Sequence, residues 1–144
     1  MHALFEKVRS LNLPAGDFAI FGSGPLLVRG IIHEVQDIDI ICRGAAWRRA
    51  QELGELSYLA DFDLYVVSLD NDRISLGCRW GIGCFDIDEL IDSAEVISGL
   101  PFVRLNFVID YKRIAARPKD LVHLDLADAW IGAKKMADTG QQSG

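Results

Sequence analysis

Phe18-Ala-Ile-Phe-Gly-Ser-Gly-Pro25 and, a dozen residues on, Asp37-Ile-Asp-Ile-Ile41 carry the most information in this chain. Phe18 to Phe21 is an apolar run too short for a helix and reads as a buried strand. It runs into Gly22-Ser23-Gly24, after which Pro25 opens a helix over Leu26 to Gly30. Proline at the first helical position, behind a serine or glycine cap, is a helix-start signal. Asp37 to Ile41 alternates polar and apolar residues and reads as a second strand. Side chains alternate faces along a strand, so Asp37 and Asp39 emerge together while Ile38 and Ile40 turn to the core.

Working outward, residues 3–10 read as a short helix stopped by a turn over Asn12 to Gly16 that contains Pro14. Ala45 to Leu53 is a helix ended by Gly54. Tyr65-Val-Val-Ser-Leu69 and Arg73-Ile-Ser-Leu76 flank Asp70-Asn-Asp72 as a β-hairpin. Asp86 to Ala94 is a short helix or loop, followed by extended pieces near Val96 and over Phe102 to Leu105. Phe107 to Ala116 and Lys119 to Lys135 have helical spacing, and Pro118 breaks them apart. The pattern predicts an α+β fold, a mixed β-sheet with helices mainly on one face. The chain of 144 residues and 16.0 kDa reads as one domain over 1–136, with a polar tail over 137–144 expected to fray.

Half the residues are hydrophobic and a quarter are charged, the balance of a globular protein rather than a disordered one. No apolar run nears the roughly 18 residues that cross a bilayer, and the start has no basic-then-apolar leader pattern. A cytoplasmic protein with no membrane association is the expectation. The net charge of −6 disfavours a general nucleic-acid coat, whose affinity comes from neutralising phosphates. Bases do concentrate locally: Arg104, Lys112, Arg113, Arg117 and Lys119 face one acid, Asp110, in a stretch that suits a phosphate or a solvated helix face. Cys42, Cys78 and Cys84 lie among apolar or small residues without a Cys-x-x-Cys pair, so they read as free, buried hydrophobes. His2, His33 and His123 form no metal-spaced cluster.

Two features carry chemistry. The Gly22-Ser23-Gly24 turn between strand and helix exposes backbone N–H groups where phosphate binds well, although such turns also occur without function. Read as a dinucleotide fingerprint it is damaged, because Leu27 stands where the third glycine would fall. The pair Asp37 and Asp39 places two like charges side by side, which raises their proton affinity unless a cation relieves the repulsion. Magnesium is typically held by one or two carboxylates together with substrate phosphates. The plain alternative is an acid pair on an exposed strand face.

Taken together, Phe21-Gly22-Ser23, a short helix and Asp37-Ile38-Asp39-Ile40 resemble the nucleotidyltransferase superfamily that includes DNA polymerase β. Downstream, Ile97-Ser-Gly-Leu-Pro101, Lys112 and Arg117-Pro-Lys-Asp120 are similar to the C-terminal region of small bacterial nucleotidyltransferases of the minimal type. The resemblance spans Phe18 to Trp130. It implies that Gly22 and Ser23 hold the β- and γ-phosphates of an NTP, and that Asp37 and Asp39 are catalytic and bind two Mg²⁺ ions. Lys112 and Lys119 become candidates for phosphate contact, each with a structural ion pair as the alternative. The implied activity moves a nucleoside monophosphate from the NTP to a hydroxyl of a small molecule, protein or RNA end. The family's third carboxylate is expected at Ser75, which offers neither charge nor base; Asp86 or Asp88 would replace it in another register. A second reading is therefore a catalytically degenerate module, a nucleotide sensor or partner-binding protein. A homo-oligomer or a helical partner protein is compatible with either.

Overall fold

The computed structural model describes residues 2–142, with side chains through Ala137. The elements follow as α1 (Ala3–Ser10), β1 (Phe18–Phe21), α2 (Gly24–Val28), β2 (Ile38–Cys42), α3 (Gly44–Leu53), β3 (Leu56–Leu59), β4 (Leu64–Leu69), β5 (Ile74–Gly77), α4 (Ile87–Asp92), β6 (Glu95–Ile97), β7 (Leu100–Phe102), α5 (Leu105–Ala115) and α6 (Pro118–Gln142). The seven strands form one mixed sheet in the order β3-β4-β5-β2-β1-β7-β6. β1 pairs antiparallel with β2, whereas β2–β5 and β1–β7 are parallel. The antiparallel β1–β2 pair is incompatible with the parallel βαβ unit that a dinucleotide site requires.

The α+β fold with a mixed sheet is what the sequence predicts, but the helices cover both faces. β1 is buried along its whole length, and Ile38, Ile40 and Ile41 of β2 are all buried, so neither face can be left to water. On one face Phe18, Ile20, Ile38, Ile40, Ile74 and Leu76 pack with Leu4, Phe5 and Val8 of α1 and with Ala46 and Ala50 of α3. On the other, Ala19, Phe21 and Ile41 pack with Leu90 and Ile91 of α4, Val108 and Tyr111 of α5, and Ala127 of α6. α3 packs on β4 and β5 from the first face.

The sequence reading passes over β3, an edge strand whose four residues are all exposed and which pairs with β4 alone. The β4–β5 turn has Asp70, Asn71 and Asp72 all at positive φ, a conformation these short polar side chains tolerate. α5 ends at Ala116 in the left-handed region, and Pro118 starts α6 at its first position. α6 continues to Gln142, through most of the stretch expected to fray; Ser143 and Gly144 lie outside the described residues. Cys42 is buried as expected. Cys78 and Cys84 are exposed, because they fall in the loop between β5 and α4 rather than in a packed element. No helix among the described residues is long and apolar enough to cross a membrane.

Candidate functional site

Asp39 sits on β2, the middle strand of seven, and Asp37 immediately precedes that strand. The register sets Asp39 between Phe21 of β1 and Ser75 of β5, and Ser75 in turn faces Ser68 of β4. Asp39, Ser75 and Ser68 thus form a polar row across the otherwise apolar second face. A cleft of about 180 Å³ opens above it, lined by Asp37, Asp39, Ser75, Arg117 and Lys119 at one end. Leu59, Phe62, Leu64, Val66, Trp80 and Ile82 give the rest of its lining a mainly apolar character, with Arg79 among them.

Gly22 abuts the Asp39 carboxylate: a Cβ placed on it would lie 2.6 Å from Asp39 Oδ2. Its φ of +60° also favours glycine. The Gly22–Ser23 turn and the acid pair are therefore neighbours, although Gly22 and Ser23 do not line the cleft itself. Ser23 occupies the N-cap position of α2 without a side-chain capping bond, which leaves its hydroxyl to accept from Lys112 Nζ at 3.0 Å.

Lys112 is committed elsewhere as well. Only 1 % exposed, it pairs with fully buried Asp120 at 3.1 Å. Asp120 also accepts from Arg117 Nε at 2.7 Å and from the Arg117 backbone N–H at 3.1 Å. Arg117 Nη2 donates to the Tyr111 hydroxyl at 2.8 Å. This buried network joins α5 to the first turn of α6. Lys119, by contrast, is exposed, lines the cleft and makes no ion pair among the described residues. Of the two lysines singled out in the sequence, Lys112 has the structural pair and Lys119 is the one open to a ligand.

Burial raises both carboxylates, but their hydrogen-bond partners decide where each ends. Asp39 accepts no hydrogen bond from any described residue, and its pKa is pushed up to about 7, by burial first and then by Asp37. Lys119, Arg117 and Lys112 pull it down, but not enough to offset this. Burial would raise Asp120 too, yet its hydrogen bonds from Arg117 and Lys112 outweigh that and hold it at about 2. Burial lowers Lys112 and His123, and His123 Nδ1 is buried without a partner.

Asp86 and Asp88 are occupied at α4. Asp86 caps its N-terminus by accepting from the Asp88 and Glu89 backbone N–H groups, and Asp88 pairs with Arg43 at 2.9 Å. Arg43 also holds Asp92 and Asp17, tying β1, α3 and α4 together. Among the described residues no cluster of three or more His, Cys, Asp or Glu side chains could hold a metal ion, and Ser75 is the group beside Asp39.

The sequence reading does not assign site roles to Trp80, Tyr111, Arg117 and Asp120. Trp80 stands edge-on to Phe21 at 5.1 Å and to Tyr111 at 5.7 Å, which fixes its ring against the back of the site. The basic stretch from Arg104 to Lys119 points to Arg117, and a structural ion pair is the alternative reading of Lys112, but nothing local in the sequence names Asp120, across the Pro118 break, as its partner. No family model matches this chain, and neither does any curated protein or solved structure.

Proposed function

We propose that this protein binds a nucleoside triphosphate with Mg²⁺ and transfers its nucleoside monophosphate to a hydroxyl acceptor. The observation that carries this reading is the pair Asp37 and Asp39 lining one cleft, with Asp39 accepting no hydrogen bond from a described residue and its pKa raised to about 7 by burial. Two carboxylates and the Ser75 hydroxyl are hard oxygen donors of the kind magnesium takes, and neither Asp37 nor Asp39 forms an ion pair among the described residues. Asp37 and Asp39 would hold the metal, which when bound neutralises phosphate charge and lowers the pKa of the attacking hydroxyl.

The chain's own groups position and neutralise. By the resemblance, Gly22 and Ser23 receive the β- and γ-phosphates, with Lys112 fixing the Ser23 hydroxyl from behind. Lys119 and Arg117 offer positive charge at the same end of the cleft. The acceptor oxygen bonds to the α-phosphorus as the bond to pyrophosphate breaks, and the hydroxyl proton leaves to water. In such transfers the protein's contribution is mainly positioning and electrostatics, so few residues suffice.

The position of Ser75 beside Asp39 favours the module reading as the alternative, since no third acid stands there to take the proton. General-base assistance is worth about 10² to 10⁴ in rate. The expected outcome is a rise in melting temperature with NTP and Mg²⁺, weak transfer of label from α-labelled NTP, and faster transfer in Ser75→Asp. Melting curves unmoved by millimolar ATP, GTP, CTP and UTP with Mg²⁺ defeat both readings. A nucleotide shift without transfer in either form of the protein selects the module.

A further inference from the structure

We infer that the apolar half of the cleft receives the acceptor, whose hydroxyl is carried on a flat, apolar body such as an aromatic ring; this rests on the nucleotidyl-transfer reading above. The strand order supplies the first argument. Gly22 follows β1, on one side of Asp39, whereas Ser75, Val66, Leu64 and Leu59 belong to β5, β4 and β3 on the other. An in-line displacement puts attacking and leaving oxygens on opposite sides of the α-phosphorus. With pyrophosphate leaving toward Gly22 and Ser23, the hydroxyl arrives from the β5 side, over Ser75.

The chemistry of that side supplies the second. Phe62 is 44 % exposed and Leu59 38 % exposed, and both line the cleft together with Trp80 and Ile82. A sugar or a polar peptide would lose water there and find few partners for its own polar groups, since Arg79, the charged side chain on that side, is engaged with the Asp63 carbonyl. A planar hydrocarbon surface would lose nothing of the kind. The slot is also preformed. Gly81 approaches so closely that a Cβ on it would meet Phe62 Cβ at 2.7 Å and Leu64 Cδ2 at 2.9 Å. Arg79 donates to the Asp63 carbonyl, tying the loop after β5 to the turn that bears Phe62. The acceptor's oxygen then forms its bond to the α-phosphorus, pyrophosphate departs with the electrons of the broken P–O bond, and the hydroxyl proton passes to water.

The test uses N-acetyl-tyrosinamide as aromatic hydroxyl probe and glycerol as polar control. Retention is measured by equilibrium dialysis against the full chain with NTP and Mg²⁺, alongside the melting shift that NTP and Mg²⁺ produce. The expected result is at least tenfold greater retention of the aromatic probe than of glycerol. Phe62→Ser and, separately, Leu59→Ser should each cut that retention at least fivefold and leave the nucleotide melting shift intact. Equal retention of both probes, with the nucleotide shift present, overturns the acceptor inference and leaves the nucleotidyl-transfer reading standing. Loss of the nucleotide shift in Phe62→Ser overturns it differently, by assigning the slot to the nucleoside. Absence of any nucleotide shift in the unaltered protein brings down both.

Discussion

Asp39 and Asp120 are two aspartates drawn out of water within one cationic neighbourhood, and they end on opposite sides of the ordinary carboxylate range. Asp120 lies at the elbow between α5 and α6, where Lys112 and Arg117 meet it with matched hydrogen bonds. Asp39 lies at the sheet centre, where its neighbours are another carboxylate, a glycine that comes within contact distance, and a serine. Those two cations, and Lys119 with them, reach Asp39 only through space. Burial with fitted partners makes a charge part of the scaffold, and burial without them leaves a charge whose partner must come from outside. The two sites therefore give opposite signs when the acid is removed.

The largest effect is expected at the elbow. Asp120→Ala leaves Lys112 buried without its counterion, a change that typically costs about 3–5 kcal/mol. The melting temperature should fall on the order of 10 °C or more, measured by calorimetry at pH 7. A loss within error of zero would mean that Asp120 does not hold the elbow, and the contrast would collapse. Because its pKa is depressed to about 2, the stability that Asp120 contributes is present above the unfolded-state value near 4 and fades as pH falls toward 2.

Asp39→Asn should act in the other direction. In the unfolded chain Asp39 ionises near pH 4, in the folded protein near 7, so ionisation favours unfolding as pH rises between those values. The variant should match the unaltered protein near pH 4 and exceed it by up to about 4 kcal/mol at pH 8, read from denaturant unfolding across that range. It should also lose the Mg²⁺-dependent part of any nucleotide shift. Destabilisation at pH 8 would show that Asp39 has a partner in the folded state and would place it in the same class as Asp120.

The acid pair and the strand that carries it are legible in the sequence, whereas the partners that set Asp39 and Asp120 apart are not, for physical reasons. The strand assignments at Phe18–Phe21 and Asp37–Ile41 follow from alternation and length, and they bring Asp37 and Asp39 to one face. β3 escapes because an exposed edge strand of four residues has no buried face to impose a period. Helices on both faces are implied by Ile40 and Ile41, adjacent and both apolar, but adjacent apolar residues do not say which helices cover them. Lys112 and Asp120 meet across a chain reversal at Ala116, a contact that no local pattern encodes. The register of Asp39 on Ser75 joins two strands separated by α3, β3 and β4, and lies beyond any local rule.

The smallest effect sharpens the comparison from the surface. Lys119 is exposed and lines the cleft, so Lys119→Ala should change stability by no more than about 0.5 kcal/mol. Its reach toward Asp39 and the cleft should instead appear as a reduced nucleotide melting shift. A large stability loss with an intact nucleotide shift would move Lys119 from the ligand's side to the scaffold's.

The interleaved strand order also sets the sequence of events by which the chain acquires its shape. β3, β4 and β5 form a meander closed by short turns, so their pairing asks little loop-closure entropy. The pairing of β2 with β5, and still more that of Ile20 with Phe102 in β1 and β7, joins residues far apart in the chain. Contacts of that separation are the slow ones in folding. Asp39 and Ser75 come together only in such a step, so the carboxylate pair stays hydrated, and free of its electrostatic penalty, until late in folding. The barrier to refolding should therefore feel little of the charge at Asp39, and the strain of holding it should appear chiefly as a faster rate of unfolding.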